Sequence, residues 1–401
     1  MGKWNQVNGE RTVERCRVIG RLVIVVAMAV AVGGCVTSSK MHAWEADTSN
    51  PGQIRTAVFA GTGLSGGGAM EWIRLVNASP ELKLVLLDAE GIRSGGLEKV
   101  DLLVMPGGSS PDINRDLGTK GKERVKDFIR NGGGYIGTCA GCCLMMETAP
   151  DPTRGIGVMP FYRSGSKGRF LMPVALNEAG AKAMGMKAAT YSLQYSHGPI
   201  LEPSAQPIEG ASFEVWGTNR SDSGQYGKGP EMFGRAAIVG GTYGKGKVFV
   251  TSCHPEYFES TRVVVQGAFR YVTGREVTFP IRPRTPRAYT VGIFTAYFVG
   301  LETAQAILAL DADPMFDLVP LTSEDIRRGA LDHVDALVFP HAQKGSFGDL
   351  TGGIVKRFIA RGGYAVGWGG GKSYLLEGAE LCADSSEVIA RLRSKGSGVR
   401  Q

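Results

Sequence analysis

From Arg55 onward the chain alternates short, almost continuous apolar runs with segments in which apolar residues recur every three or four positions. RTAVFA, LKLVLLD, DLLVMPGG and GGYIG read as strands, and GAMEWIRLVN, GKERVKDFIRN and AGCCLMME read as helices among them. Such alternation predicts a parallel sheet covered by helices. The strands lack an in-out polar pattern, as expected when both faces of a sheet are buried. Between about 155 and 235, RFLMPVAL and EVWGT read as further strands and NEAGAKAMG as a helix, decorating that sheet. RAAIVGGTYGKGKVFVTSCHPEY then predicts two strands about a Gly-Lys turn, and STRVVVQGAFRYV a helix that closes a domain over 55–277.

Beyond a Pro-rich linker at 278–288 the pattern starts again. KVDLLVMPGG (99–108) lines up with HVDALVFPHA (333–342), and LKLVLLDAEGIRSGGL with FDLVPLTSEDIRRGAL at the same offset. VKDFIRNGGGYIGTCAG (125–141) aligns without gaps to VKRFIARGGYAVGWGGG (355–371). The chain therefore holds a second, truncated copy of one α/β unit, placed at 289–380 and followed by a C-terminal tail at 381–401. In this copy Gly369 stands where Cys139 stands, His341-Ala342 replaces Gly107-Gly108, and no counterpart to HPEY is visible.

The first 34 residues change the picture. Five basic residues lead into LVIVVAMAVAVGG, an apolar run of 13 residues that is too short to span a bilayer. With small residues just before Cys35, this reads as a secretory signal and resembles a bacterial lipobox. The resemblance implies cleavage before Cys35, lipid on that residue, a tether over 35–54, and a protein held to a membrane of the bacterial envelope, facing outside the cytoplasm. Loss of residues 1–34 removes five basic and two acidic side chains, so the formal charge of +7 falls to +4. That balance, with no basic run interleaved with aromatics, does not suggest a nucleic-acid partner. A small-molecule partner fits better, and no protein partner can be named. At 401 residues, 43% hydrophobic and 21% charged, the rest is ordinary globular material for two or three domains. Five cysteines remain after Cys16 and Cys35 are set aside, an odd number that gives no disulfide framework.

The candidate chemistry lies at strand ends. GTCAG puts Cys139 on a sharp strand-to-helix turn, with glycines two residues either side to relieve crowding. The helix start behind it favours thiolate over thiol and offers N–H groups to an oxyanion. MPGG ends another strand, and Gly107 and Gly108 let the backbone approach a substrate closely. TSCHPEY supplies His254 as a base and Glu256 as its orienting acceptor. His197, in QYSHGP, is a further candidate for lining the pocket.

PGG, then G-x-C-x-G, then His-Pro-Glu, in that order on a parallel sheet, resembles the class I glutamine amidotransferase-like proteins. GTCAGCCL, YGKGK and HPEY look most like the biotin-protein ligase N-terminal domain family and its bacterial lipoprotein members. The resemblance implies a flavodoxin-like doubly wound α/β fold, with Cys139 as nucleophile, His254 as base, Glu256 as its partner, and Gly108 and Ala140 as oxyanion donors. It implies hydrolysis of an amide or related acyl bond, with no cofactor and no metal. Amidotransferases of this group carry glutamine where Cys143 stands, and no ammonia-accepting synthase or ATP-binding ligase segment can be read, so neither amide transfer nor biotin ligation is expected. Two other readings stay open. One is a binding module that keeps the fold without the reaction. The other is a redox or zinc site built from Cys139, Cys142, Cys143, Cys253 and His254. The GGG of 66–68 also resembles a phosphate loop, though no acidic partner accompanies it.

Overall fold

A computed structural model describes residues 43–45, 52–146, 155–165, 168–222, 231–280, 289–295, 300–340, 349–368 and 378–398. The signal segment, the lipobox and Cys35 lie outside these residues, as do His341, Ala342 and Gly369. Among the described residues no helix is long and apolar enough to cross a membrane.

The first sheet has a parallel core of five strands: β2 (Ile54–Phe59), β3 (Leu82–Leu87), β4 (Leu102–Met105), β5 (Gly134–Thr138) and β12 (Gly246–Thr251). Their spatial order is β3-β2-β4-β5-β12, the 2-1-3-4-5 order of flavodoxin-like folds. Helices α1 (Gly66–Ala78), α2 (Ala89–Arg93), α3 (Ser110–Arg130) and α4 (Ala140–Met145) follow the first four of these strands in chain order, α5 (Glu178–Met184) lies in the segment between β5 and β12, and α6 (Arg262–Thr273) follows β12. α3 starts well before the GKERV segment and is kinked where Gly118 adopts φ 61 and ψ −175. A buried cluster with Trp72, Ile136, Phe249 and Phe269 fills the space between helices and sheet.

Antiparallel strands extend this sheet on one side: β11 (Ala236–Tyr243) pairs with β12, then β10 (Ala211–Asn219), β7 (Arg169–Leu176) and β8 (Thr190–Ser196) follow. The short β6 (Phe161–Gly165) and β9 (Ile200–Pro203) pair with each other, and β9 also touches β11. At the other edge β1 (Ala43–Glu45) pairs antiparallel with β3. That part of the expected tether is thus a strand covering an otherwise open sheet edge. The expected linker also begins inside the domain. Val277 and Phe279 belong to the first core, and the Thr278 N–H and hydroxyl bond to the Glu81 carboxylate.

The second sheet is fully parallel and repeats the same order: β14-β13-β15-β16-β17. Its strands are β13 (Tyr289–Phe294), β14 (Phe316–Leu321), β15 (Ala336–Pro340), β16 (Tyr364–Trp368) and β17 (Glu380–Cys382). α7 (Leu301–Ala312), α8 (Ser323–Arg327), α9 (Asp349–Ala360) and α10 (Ser385–Gly398) accompany them. The repeat therefore does not stop at 380, and 381–401 is not simply a tail. β17 pairs with β16 as β12 pairs with β5, and α10 places Val388 and Leu392 in the second core. Local coding agrees between copies although residues differ. Asp88 caps α2 through the Gly91 N–H at 2.7 Å, and Thr322, at the aligned position, caps α8 in a box with Asp325.

The copies meet through equivalent helices, α1 and α7. Met70 of α1 belongs to the second core, while Leu301, Ala304 and Leu308 of α7 belong to the first. This exchange is the self-complementary pattern of a two-fold interface. It is fastened by Arg74, whose Nε lies 3.0 Å from the buried Asp311 carboxylate while Nη1 holds Glu71.

Candidate active site

Cys139 follows β5 directly and sits at φ 52, ψ −106. Among the described residues only Cys139 and His197 (φ 54) have positive φ without being glycine, and both line the same cleft. Such conformations cost about 1–3 kcal/mol each and cluster where function requires them. The elbow is feasible only because of its glycines. A Cβ on Gly141 would lie 2.1 Å from the Met105 carbonyl oxygen of β4, and one on Gly137 would lie 2.7 Å from the Gly141 carbonyl oxygen. The Cys139 N–H donates to Thr251 O at 2.9 Å, which ties the elbow to β12, and its Sγ lies 3.6 Å from Ser196 O.

Thr251 ends β12, and three residues later His254 is held by its own N–H donating to Gln194 O at 2.7 Å. His254 and Glu256 are both buried. Nδ1 of His254 lies 2.8 Å from Glu256 Oε1. A carboxylate only accepts, so Nδ1 donates and Nε2 is left for the cysteine. Thr138 Oγ1 also donates to Oε1, at 3.4 Å, and receives the Trp72 indole N–H at 3.3 Å. Burial by itself would push the imidazole down, but the Glu256 carboxylate and the contact with Cys139 outweigh it and raise His254 to about 10. His254 and Cys139 converge over Gly107, where an added Cβ would meet His254 Cε1 at 2.6 Å, Cys139 Cβ at 3.1 Å and His254 Nε2 at 3.4 Å.

Gly108 follows, so close to the loop after β2 that a Cβ would lie 2.1 Å from Gly63 O. Among the described residues neither the Gly108 N–H nor the Ala140 N–H donates to a backbone carbonyl. Both border the hollow beside Cys139. The predicted residues Cys139, His254, Glu256, Gly107, Gly108, Ala140 and His197 are thus gathered at the carboxyl ends of β4, β5 and β12. Ligands bind at this end of open α/β sheets.

Two cavities open from Cys139. The larger, about 350 Å³, lies between the copies, and its walls include Ser65, Arg169, His254, Thr295, Thr322 and Arg327. The smaller, about 310 Å³, is lined by Ser110, Asp112, Ala140, Cys143 and Arg163. His197 borders both from its exposed loop. The sequence gives no sign of the second copy's share of the larger cavity, because the contact depends on how α1 and α7 pair.

The neighbouring thiols are of another kind. Burial pushes Cys143 and Cys253 up to about 12 and Cys142 well above the ordinary thiol range. Cys139, Cys142, Cys143, Cys253 and Cys382 are all unbridged. Among the described residues no group of three or more His, Cys, Asp or Glu is placed to hold a metal. The GGG of 66–68 makes room rather than cradling phosphate. A Cβ would lie 2.3 Å from Thr295 Cβ at Gly66, 2.8 Å from the Tyr257 hydroxyl at Gly67 and 3.1 Å from Glu256 Oε1 at Gly68. The helix start is thereby pressed against the His-Glu pair and the second copy.

This geometry lies largely in a stretch with a recognisable lineage. Residues 95–270 match the family model of the biotin-protein ligase N-terminal domain. The biotin-protein ligase N-terminal match contains Gly107, Gly108, Cys139, His197, His254 and Glu256, and leaves out the second α/β copy. No curated protein matches the chain. Among solved structures, a ThuA-like protein from Parabacteroides merdae is 12% identical at a TM-score of 0.40, over 57% of this chain and 93% of that one. A ThuA-like protein from Bacteroides uniformis is 11% identical at 0.39, over 58% and 96%. A β-galactosidase from Bacillus circulans sp. alkalophilus is 12% identical at 0.35, over 54% of this chain, which spans only 31% of that enzyme. Likeness at this level carries no conclusion about chemistry.

Proposed function

We propose that the protein is an exported cysteine hydrolase of an amide or related acyl bond, lipid-anchored through Cys35, with Cys139, His254 and Glu256 as its reacting group. One observation carries this reading: a strained, buried Cys139 shares the space over Gly107 with a histidine whose far nitrogen is 2.8 Å from a buried carboxylate. In the resting pair the Cys139 proton already sits on His254 Nε2, in keeping with the raised imidazole, and Glu256 stabilises that imidazolium. The sulfur then bonds to the acyl carbon. The carbonyl electron pair moves to oxygen, where the Gly108 and Ala140 N–H groups receive it, each such donor contributing about 10²- to 10³-fold in rate. His254 returns the proton to the departing amine as the C–N bond breaks. Water, deprotonated by His254, attacks the thioester, and the C–S bond breaks, its electron pair returning to sulfur, so that the acid is released and the Cys139 thiolate again faces the protonated His254.

Hydrolysis is favoured over amide transfer because Cys143 occupies the position of the amidotransferase glutamine, with its thiol held protonated by burial. The reading is tested by iodoacetamide labelling at graded pH, with mass spectrometric readout at Cys139. The wild type should label at pH 6 well ahead of free cysteine, and His254→Ala should remove that advantage. A Cys139 that labels like free cysteine and ignores His254 defeats the proposal.

A further inference from the structure

We propose that the second α/β copy acts as the specificity wall of the Cys139 cleft, where Arg327 selects substrates with an anionic group such as a carboxylate. This rests on the hydrolase reading above and names its substrate class. The larger cavity is bordered by Cys139 and His254 from the first copy and by Thr322, Glu324 and Arg327 from the second. Two guanidinium groups, Arg169 and Arg327, face it across the copy boundary.

The carboxylates nearby are engaged elsewhere. Glu324, in the cavity wall, has its Oε1 2.5 Å from Nη2 of Arg328, the residue that follows α8. Asp325 accepts the Thr322 N–H at 2.9 Å and hydroxyl at 2.6 Å in its capping box, and its other oxygen lies 3.4 Å from Arg169 Nη1. Arg169 is therefore steadied by the second copy, while Arg327 makes one hydrogen bond among the described residues, from Nη1 to Thr351 Oγ1 at 3.3 Å.

The aligned arginine of the first copy shows what the alternative looks like. Arg93 donates to Glu90 at 2.9 Å and to the Asp116 and Leu117 carbonyls, so its guanidinium is committed to packing α2 on α3. Among the described residues Arg327, which borders the cavity, leaves most of its five donors without a protein partner, and a guanidinium with spare donors is suited to a carboxylate.

The test compares iodoacetate with iodoacetamide, two alkylating reagents that differ in a carboxylate. Both meet the same sulfur, so a change in thiol reactivity cancels in the ratio of their rates. For free cysteine the anionic reagent is the slower one. At Cys139 the ratio should favour iodoacetate by roughly 10-fold relative to free cysteine at low salt and collapse in about 1 M KCl, where screening acts within about 3 Å. Arg327→Gln should lower the ratio by about 3- to 10-fold, and Arg327→Lys should largely keep it. A ratio equal to that of free cysteine, or unchanged in Arg327→Gln, overturns the proposal while leaving the hydrolase reading intact. A ratio that falls in Arg163→Gln instead places the anion in the smaller cavity and also overturns it. Failure of both reagents to outpace free cysteine would end both readings together.

Discussion

Gly107→Ala isolates the pairing of Cys139 with His254 without touching the charge of either. The new methyl would stand 2.6 Å from His254 Cε1, whereas ordinary contact begins at 3.4 Å, so the imidazole must retreat by about 0.8 Å. It cannot retreat freely, because Nδ1 is held 2.8 Å from Glu256 and the ring is buried. Cys139 Cβ, at 3.1 Å from the same methyl, is pressed the other way. The pair is thus wedged apart. A misplacement of about 1 Å at a reacting centre costs on the order of 10²-fold in rate, and overpacking costs about 1–3 kcal/mol in stability. Expected, then, is a folded protein with a lowered urea midpoint, whose Cys139 alkylates at pH 6 roughly 10- to 100-fold more slowly than wild type. Gly300→Ala is the control, since φ there is −116 and a Cβ meets nothing within 4 Å. Labelling of Gly107→Ala within about two-fold of wild type would refute the idea that His254 governs the sulfur.

Two further outcomes follow from buried charge. Arg74→Met removes the cation between Glu71 and the nearly inaccessible Asp311; loss of one partner of a buried pair costs about 3 kcal/mol. A urea midpoint unchanged in this variant would show that the helix interface does not depend on the pair. His254, raised in the fold to about 10 from an ordinary value near 6.5, binds a proton that the unfolded chain releases. Its contribution is therefore fully present below about pH 6.5 and is lost as pH rises through about 10. Stability followed from pH 6 to 10.5 should decline in the wild type and decline less in Glu256→Gln; parallel profiles would show that the Glu256 carboxylate is not what raises His254.

Much of the fold is legible because a parallel sheet buried on both faces leaves dense apolar runs, and β2 to β5 and β13 to β16 coincide with those runs. The site is legible for a topological reason. PGG, GTCAG and HPEY end β4, β5 and β12, and parallel neighbours deliver their carboxyl ends to one edge. β17 escapes the same reasoning because ELC is only three residues long, too short to show a pattern, and gains its strand character from pairing with β16. The function of GGG at 66–68 also escapes it, since phosphate loops and tight packing call for the same residue. Only the positions of Thr295, Tyr257 and Glu256 separate the two. Arg327 is hidden for a related reason. IRSGG and IRRGA look interchangeable, yet Arg93 is held by Glu90 and two carbonyls of α3, whereas Arg327 makes, among the described residues, one 3.3 Å hydrogen bond to Thr351 of α9.

The two copies together show what this fold does without. The second sheet reproduces the strand order of the first and, at Thr322, its Asp88 helix cap, with Trp368 at the position of Thr138. In the first copy that hydroxyl joins the Trp72 indole to the carboxylate that holds His254. In the second the position is filled by a buried indole whose N–H has no partner among the described residues, and β17 is followed by Ala383, Asp384 and Ser385 rather than a histidine. A flavodoxin-like unit therefore closes without the Thr-Glu-His chain. What the second copy retains instead is its contact with the first through α1 and α7, and Thr322, Glu324 and Arg327 in the wall of the cavity that opens from Cys139, the placement on which the proposed specificity wall rests.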